Sequence, residues 1–181
     1  MEKHGILIPV GNHKRKKILL GAESEPSEYK ELLIESFNRK FWIVNAKYPH
    51  INSEDEWIFN KYKGFDKEKD YSPVLQKIGY GIERVSGMEI AGISICNSSS
   101  NISEFEKDHP NIFARQCLTI EEAIKSRKEE NTNLLYLRED MTTIEDAIEI
   151  SKAWISTEFY SDKKTEKVFF DNYIKKARAK F

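Results

Sequence analysis

A six-residue segment of this chain returns almost unchanged. Thr119-Ile120-Glu121-Glu122-Ala123-Ile124 is echoed as Thr143-Ile144-Glu145-Asp146-Ala147-Ile148, 24 positions later (143 minus 119). Each copy follows a short apolar run, Ile112 to Leu118 and then Leu134 to Leu137, and each opens an apolar spacing of helical period. Thr119 with Glu122, and Thr142 with Glu145, have the spacing of a capping box, in which a threonine hydroxyl takes an otherwise unpaired N–H at the start of a helix. Two strand-then-helix units in tandem are the simplest reading, and they predict an alternating α/β layer. In such a layer Ile120, Ile124, Ile144 and Ile148 are expected against the sheet.

Upstream the pattern changes. Gly5 to Val10 and Lys17 to Leu20 are β-favouring runs separated by the turn-forming, basic segment Gly11 to Lys16. The spacing predicts an antiparallel hairpin with a basic tip, and Pro9 places its first arm at an edge. Ser24, with Pro26 two residues on, predicts a helix start; Tyr29, Leu32, Leu33 and Phe37 then share one face. The continuous run Phe41 to Val44 reads as a buried central strand. A short helix is expected near Glu54 to Tyr62 and a strand over Met88 to Cys96. Phe170, Tyr173, Ile174, Ala177 and Phe181 form the apolar side of a C-terminal amphipathic helix. The expected fold is α/β, or α+β: a mixed sheet with an N-terminal antiparallel hairpin, two tandem strand–helix units and that last helix. No low-complexity linker divides residues 1–181, so one domain is expected.

Composition narrows the function classes. A net charge of −1 leaves no global field to draw the molecule to nucleic acid or to an anionic membrane. Two cysteines are too few for a disulfide scaffold. The mixed charges of Met1 to His4 run into only a few apolar residues, so no signal peptide or membrane span is expected, and the setting reads as cytoplasmic.

Four groups of residues are candidates for chemistry. Asn97 to Asn101 is an uncharged polar loop after a predicted strand, where α/β sheets tend to bind ligands; Ser98 is its central hydroxyl. Arg138-Glu139-Asp140 ends the second echo strand, where Asp140 reads as a helix cap or an acid that holds a cation through water. His50 and His109 lie in predicted loops and are candidate general bases. Were the chain an enzyme, His50, Ser98 and Asp140 would be its catalytic set, acting on a nucleotide, phosphoester or glycosyl substrate at strand ends. Cys96, Cys117 and His109 match no zinc-site spacing; both cysteines read as small buried apolar residues, and no metal or cofactor is expected.

Trp57, Phe59, Tyr62, Phe65 and Tyr71 are interleaved with charges and lack clear periodicity, which suits an interaction surface. Lys14, Arg15, Lys16 and Lys17 form the basic tip that would track a phosphate backbone. From the residues alone the leading reading is a non-catalytic interaction protein (an accessory factor, inhibitor or assembly component) with another protein as partner. The alternatives are the strand-end enzyme and nucleic-acid binding through the basic hairpin. The five aromatics and the lack of a catalytic motif place the first ahead.

Overall fold

The computed structural model describes residues 11–13, 17–23, 27–37, 42–45, 71–84, 90–96, 101–161 and 175. Within them five strands form one wholly parallel sheet: β2 (Lys17–Ala22), β3 (Trp42–Asn45), β4 (Ile90–Cys96), β5 (Ala114–Gln116) and β6 (Leu134–Arg138), in the order β3-β2-β4-β6-β5. Five helices accompany them: α1 (Glu28–Ser36), α2 (Pro73–Arg84), α3 (Ile102–Asp108), α4 (Ile120–Glu130) and α5 (Ile144–Ser156). A separate ribbon pairs β1 (Gly11–His13) with β7 (Phe159–Ser161) antiparallel.

The sheet is apolar on both faces, as a parallel sheet between helix layers requires. Ile18, Leu20 and Ala22 of β2, with Ala91, Ile93 and Ile95 of β4, join a buried cluster that includes Leu33 and Phe37 at α1, Ala123 of α4, and Ala147, Ile150 and Trp154 of α5. Cys96 belongs to a second cluster with Val74, Leu75, Ile78 and Ile82 of α2 and Ile102 and Phe105 of α3. Glycine lets α2 settle close to its neighbours. A Cβ on Gly79 would stand 2.6 Å from the Phe105 ring, and one on Gly92 would strike Ile78.

Several sequence expectations are corrected here. No N-terminal antiparallel hairpin forms on Lys17–Ala22, and the sheet is not mixed. Both neighbours of β2 run parallel to it, with Ile18 opposite Ile43 on one side and Ala91 on the other. The physical reason is that β2 carries apolar residues toward both faces, which two helix layers bury and an edge hairpin cannot. The turn-like Gly11–His13 is itself a strand, paired with β7. Gly5 to Val10 lies outside the described residues. Phe41 to Val44 was expected at the centre; its strand, β3, instead pairs only with β2 among the described strands. Helix α1 is capped by Ser27, whose hydroxyl accepts from Lys30 N–H at 3.0 Å, rather than by Ser24.

The two echoes are each a strand leading to a helix. Thr119 caps α4 by accepting from Glu122 N–H at 3.2 Å. The second cap is Thr143, accepting from Asp146 N–H at 3.2 Å, one residue beyond the expected Thr142. The residues turned to the sheet are the alanines: Ala123 and Ala147 are fully buried, while Ile120 is 41% exposed. Ile144 and Ile148 are partly buried against the same cluster. A small side chain at the contact lets each helix lie close to the strands. Asn131 ends α4 with φ 47°, the left-handed conformation that asparagine tolerates better than most residues.

Candidate active site

In an open parallel sheet a ligand crevice forms beyond the carboxyl ends of the strands, where the chain order reverses. Here β2 is followed by β3 on one side and by β4 on the other, so the reversal lies between β2 and β4. Glu23 follows β2 directly, and its N–H donates to the Ile95 carbonyl at 2.9 Å, which closes the ladder at the mouth of the crevice. Cys96 is the last residue of β4. Its side chain is 2% exposed, and its sulfur lies 3.3 Å from the Ser94 hydroxyl on the same face of the strand. A thiol here can exchange a proton away from bulk water.

Beside it, α1 and the turn after β6 enclose a polar rim. The Ser27 hydroxyl, buried at the start of α1, donates to Glu139 Oε1 at 3.4 Å. Tyr29 donates to the Thr142 carbonyl at 3.2 Å, and burial, with Glu139 and Asp146 nearby, pushes its phenol up to about 12. Lys30 is 1% exposed in the first turn of α1. Tyr136 stands opposite Ser94 in β6, its phenol raised by burial first and by Cys96 and Glu106 next. Arg138 faces Cys96 in register and forks onto Asp140, with Nε–Oδ1 at 3.0 Å and Nη2–Oδ2 at 2.6 Å. That hydrogen bond and charge raise the arginine and lower the aspartate.

Residues 18–169 match the family described as ribose/galactose isomerase. The chain belongs to this family. Solved structures of type B ribose 5-phosphate isomerases share the fold. The closely superposing examples include a mutant from Trypanosoma cruzi (TM-score 0.68, 16% identity, covering 91% of this chain and 98% of that one). Another is the enzyme from Clostridium thermocellum (TM-score 0.65, 21% identity, 90% and 99% covered). At such identities the likeness is one of fold. The DNA damage-repair/toleration protein DRT102 of Arabidopsis thaliana is 32% identical over 91 residues, which are 50% of this chain and 29% of that protein. The chain thus spans less than a third of that relative's length.

Membership in the ribose/galactose isomerase family overturns the reading as a non-catalytic interaction protein, inhibitor or accessory factor with a protein partner. The family consists of enzymes that act on small molecules. The strand-end enzyme, ranked second from the residues alone, is the reading that fits it.

Of the residues singled out from the sequence, only some are among the described residues, and those lie apart. Asp140 lies at the carboxyl end of β6 but is exposed and held by Arg138. It does not cap α5, since Thr143 does. His50 and Ser98 lie outside the described residues, as do Trp57, Phe59, Tyr62 and Phe65. Tyr71 is buried, donates to Asp108 Oδ2 at 2.7 Å and meets the Phe105 ring edge-on. Lys14, Arg15 and Lys16 are outside the described residues, and Lys17 opens β2. Cys96 and Cys117 belong to different buried clusters, while His109 pairs with Glu83. Among the described residues no three His, Cys, Asp or Glu gather as a metal site would require. None of their helices is long and apolar enough to cross a membrane.

Glu23 and the Ser27–Glu139 contact had no signal in the sequence, because strand order alone brings them to the crevice. Cys96 did have one: it ends a predicted strand immediately before the polar loop.

Proposed function

We propose that the chain is a sugar isomerase that interconverts the aldose and ketose forms of a ribose- or galactose-type sugar or its phosphate, with Cys96 as the group that moves the proton. The observation that carries the reading is the place of Cys96, at the carboxyl end of β4 beside the strand-order reversal, in a chain of the ribose/galactose isomerase family. Aldose–ketose interconversion removes a proton from the carbon next to the carbonyl and returns it to the former carbonyl carbon. One base can do both, provided that it reaches both carbons and does not lose the proton to water. A buried thiol at the crevice meets the second condition better than the exposed, arginine-bound Asp140. Ser94 Oγ, 3.3 Å from the sulfur, holds the thiol's orientation or donates to it. At the rim, the Glu139 carboxylate would accept from the sugar hydroxyls.

The test is ketose formation from D-ribose 5-phosphate, D-ribose, D-galactose 6-phosphate and D-galactose by the parent protein and by Cys96→Ala. The expected result is turnover of at least one of these and a loss of ~10²–10⁴-fold in kcat for the variant, the usual contribution of a positioned acid–base group. A parent protein that isomerises none of them sinks the activity. A Cys96→Ala variant that retains full kcat transfers the proton role to another residue.

A further inference from the structure

We infer that the Glu83–His109 pair is a positioning clasp: it fixes α3 and thereby the seating of Cys96, two elements away in the fold. The inference rests on the isomerase site proposed above for its catalytic consequence, but not for the clasp itself.

Five residues, Asn97 to Asn101, connect Cys96 to the start of α3. The helix is only Ile102–Asp108, too short to hold its place without tertiary anchors. Its N-terminus is capped by Asn101, whose side chain accepts from Glu104 N–H at 3.1 Å. Phe105 is fully buried in the cluster that also contains Cys96 and Ile102. Phe105 and Cys96 share one buried cluster, so the place of α3 bears on the packing of the cluster that holds the thiol.

At the other end of α3 the anchors converge on His109, the C-cap residue. Its ring lies 4.5 Å from the Phe105 ring centroid and 6.4 Å from that of Tyr71. Its Nδ1 is 2.9 Å from Glu83 Oε2, near the end of α2, with side chains only 17% and 27% exposed. Asp108 is held by the Tyr71 hydroxyl at 2.7 Å. Because Gly79 has no side chain, α2 and Phe105 pack in direct contact, so a change at the Glu83–His109 link is passed to Phe105 without slack. The hydrogen bond joins α2 to the cap of α3 through a partly buried histidine ring and a carboxylate at the surface, and a function-bearing element is attached to it.

The experiment compares His109→Ala, His109→Asn and Glu83→Gln with the parent. Asparagine places an amide nitrogen close to where Nδ1 stands, so it can restore the link. The first readout is iodoacetamide labelling of Cys96, followed by peptide mass analysis. Cys117, equally buried but in the other cluster, serves as the internal reference. The expected result for His109→Ala is labelling of Cys96 that rises roughly tenfold or more while Cys117 is unchanged, the signature of a local opening. His109→Asn should recover most of the protection, and Glu83→Gln should fall between. The second readout is kinetics on whichever sugar the parent converts, where His109→Ala should lower kcat by roughly tenfold with KM little changed. Equal rises at both thiols, or no rise at either, overturn the clasp. A parent without isomerase activity would sink the catalytic reading instead, and the labelling would still decide the clasp.

Discussion

The two faces of the sheet are held together by different means. On the face covered by α1, α4 and α5, a buried polar network runs through the core. Arg127 is fully buried at the end of α4, with its guanidinium on the Asn131 side chain at 2.9 Å and on the Thr132 carbonyl. The Trp154 indole donates to Thr132 Oγ1 at 2.9 Å, and that hydroxyl meets Ser126 Oγ at 3.1 Å. On the face covered by α2 and α3, links among the described residues include Glu83 to His109, Tyr71 to Asp108, and Glu106 to the Ala114 N–H at 2.8 Å. Cys96 is on this second face. A site that must admit and release a substrate is better placed beside partly exposed links such as Glu83–His109 than inside a buried web. The buried web of the first face is thus assigned to stability, while the site draws on Cys96 of the second face and on the Ser27–Glu139 rim at the start of α1.

Trp154→Ala should have the largest effect on that division. The side chain is fully buried and fills the space between α5, Thr132 and Arg127, so its loss should cost about 3–5 kcal/mol in urea unfolding. The fraction that remains folded should keep the parent's kcat. A fall in kcat per folded molecule would show that the two faces are not separable.

Arg127 sharpens the same comparison. Among the described residues no carboxylate is paired with it and one guanidinium nitrogen has no partner, and burial pushes it down to about 10. Burying this charge is thus unfavourable in itself, and what it contributes is the bonds to residues 131, 132 and 157. Arg127→Ala should destabilise by about 3 kcal/mol, because it empties the space and leaves those acceptors unpaired. Arg127→Met should recover much of that loss by refilling the volume without the charge. Equal losses in the two variants would mean that the hydrogen bonds, rather than packing, dominate this end of α4.

The echo helices allow a smaller test. Ala147→Val adds volume at the point where α5 lies against the strands and should cost about 1–3 kcal/mol. Ile148→Ala, at a half-buried position, should cost about 1 kcal/mol, less than full burial of the isoleucine would imply. The reverse order, measured by thermal or urea unfolding, would return the isoleucines to the sheet side.

Those two positions also show how far the residues could be read. The repeated segment disclosed two strand–helix units, because capping threonine and helical spacing are local properties. It did not disclose which residue of each helix meets the sheet, because alanine carries almost no periodicity signal while isoleucine dominates it. The hairpin failed for a related reason. Lys17 to Ala22 has the same local β preference whether its neighbours run parallel or antiparallel, and only the helices on both faces decide. The strand Met88 to Cys96 was legible, yet Cys96 was weighed as packing alone, since burial and a catalytic position predict the same residue type there. Glu23 reached the crevice through strand order, which no short-range pattern encodes.

The smallest effect expected concerns the other thiol. Cys117 lies on the stability face, where burial pushes it up to about 11 from an ordinary value of 9.0, with Glu122 and Glu130 adding to the rise and a hydrogen bond to Ser126 working against it. Between those two values the folded state binds more protons than the unfolded state, so stability should fall as pH rises through this window and be fully present below it. Cys117→Ala removes the titration and leaves a packing loss that does not depend on pH. Urea midpoints from about pH 8 to about pH 11 should therefore fall more steeply for the parent than for the variant, while Tyr29, common to both, cancels in the difference. Parallel curves would mean that water reaches Cys117 as the pH rises, and that the α4 side of the sheet opens more readily than its buried network implies.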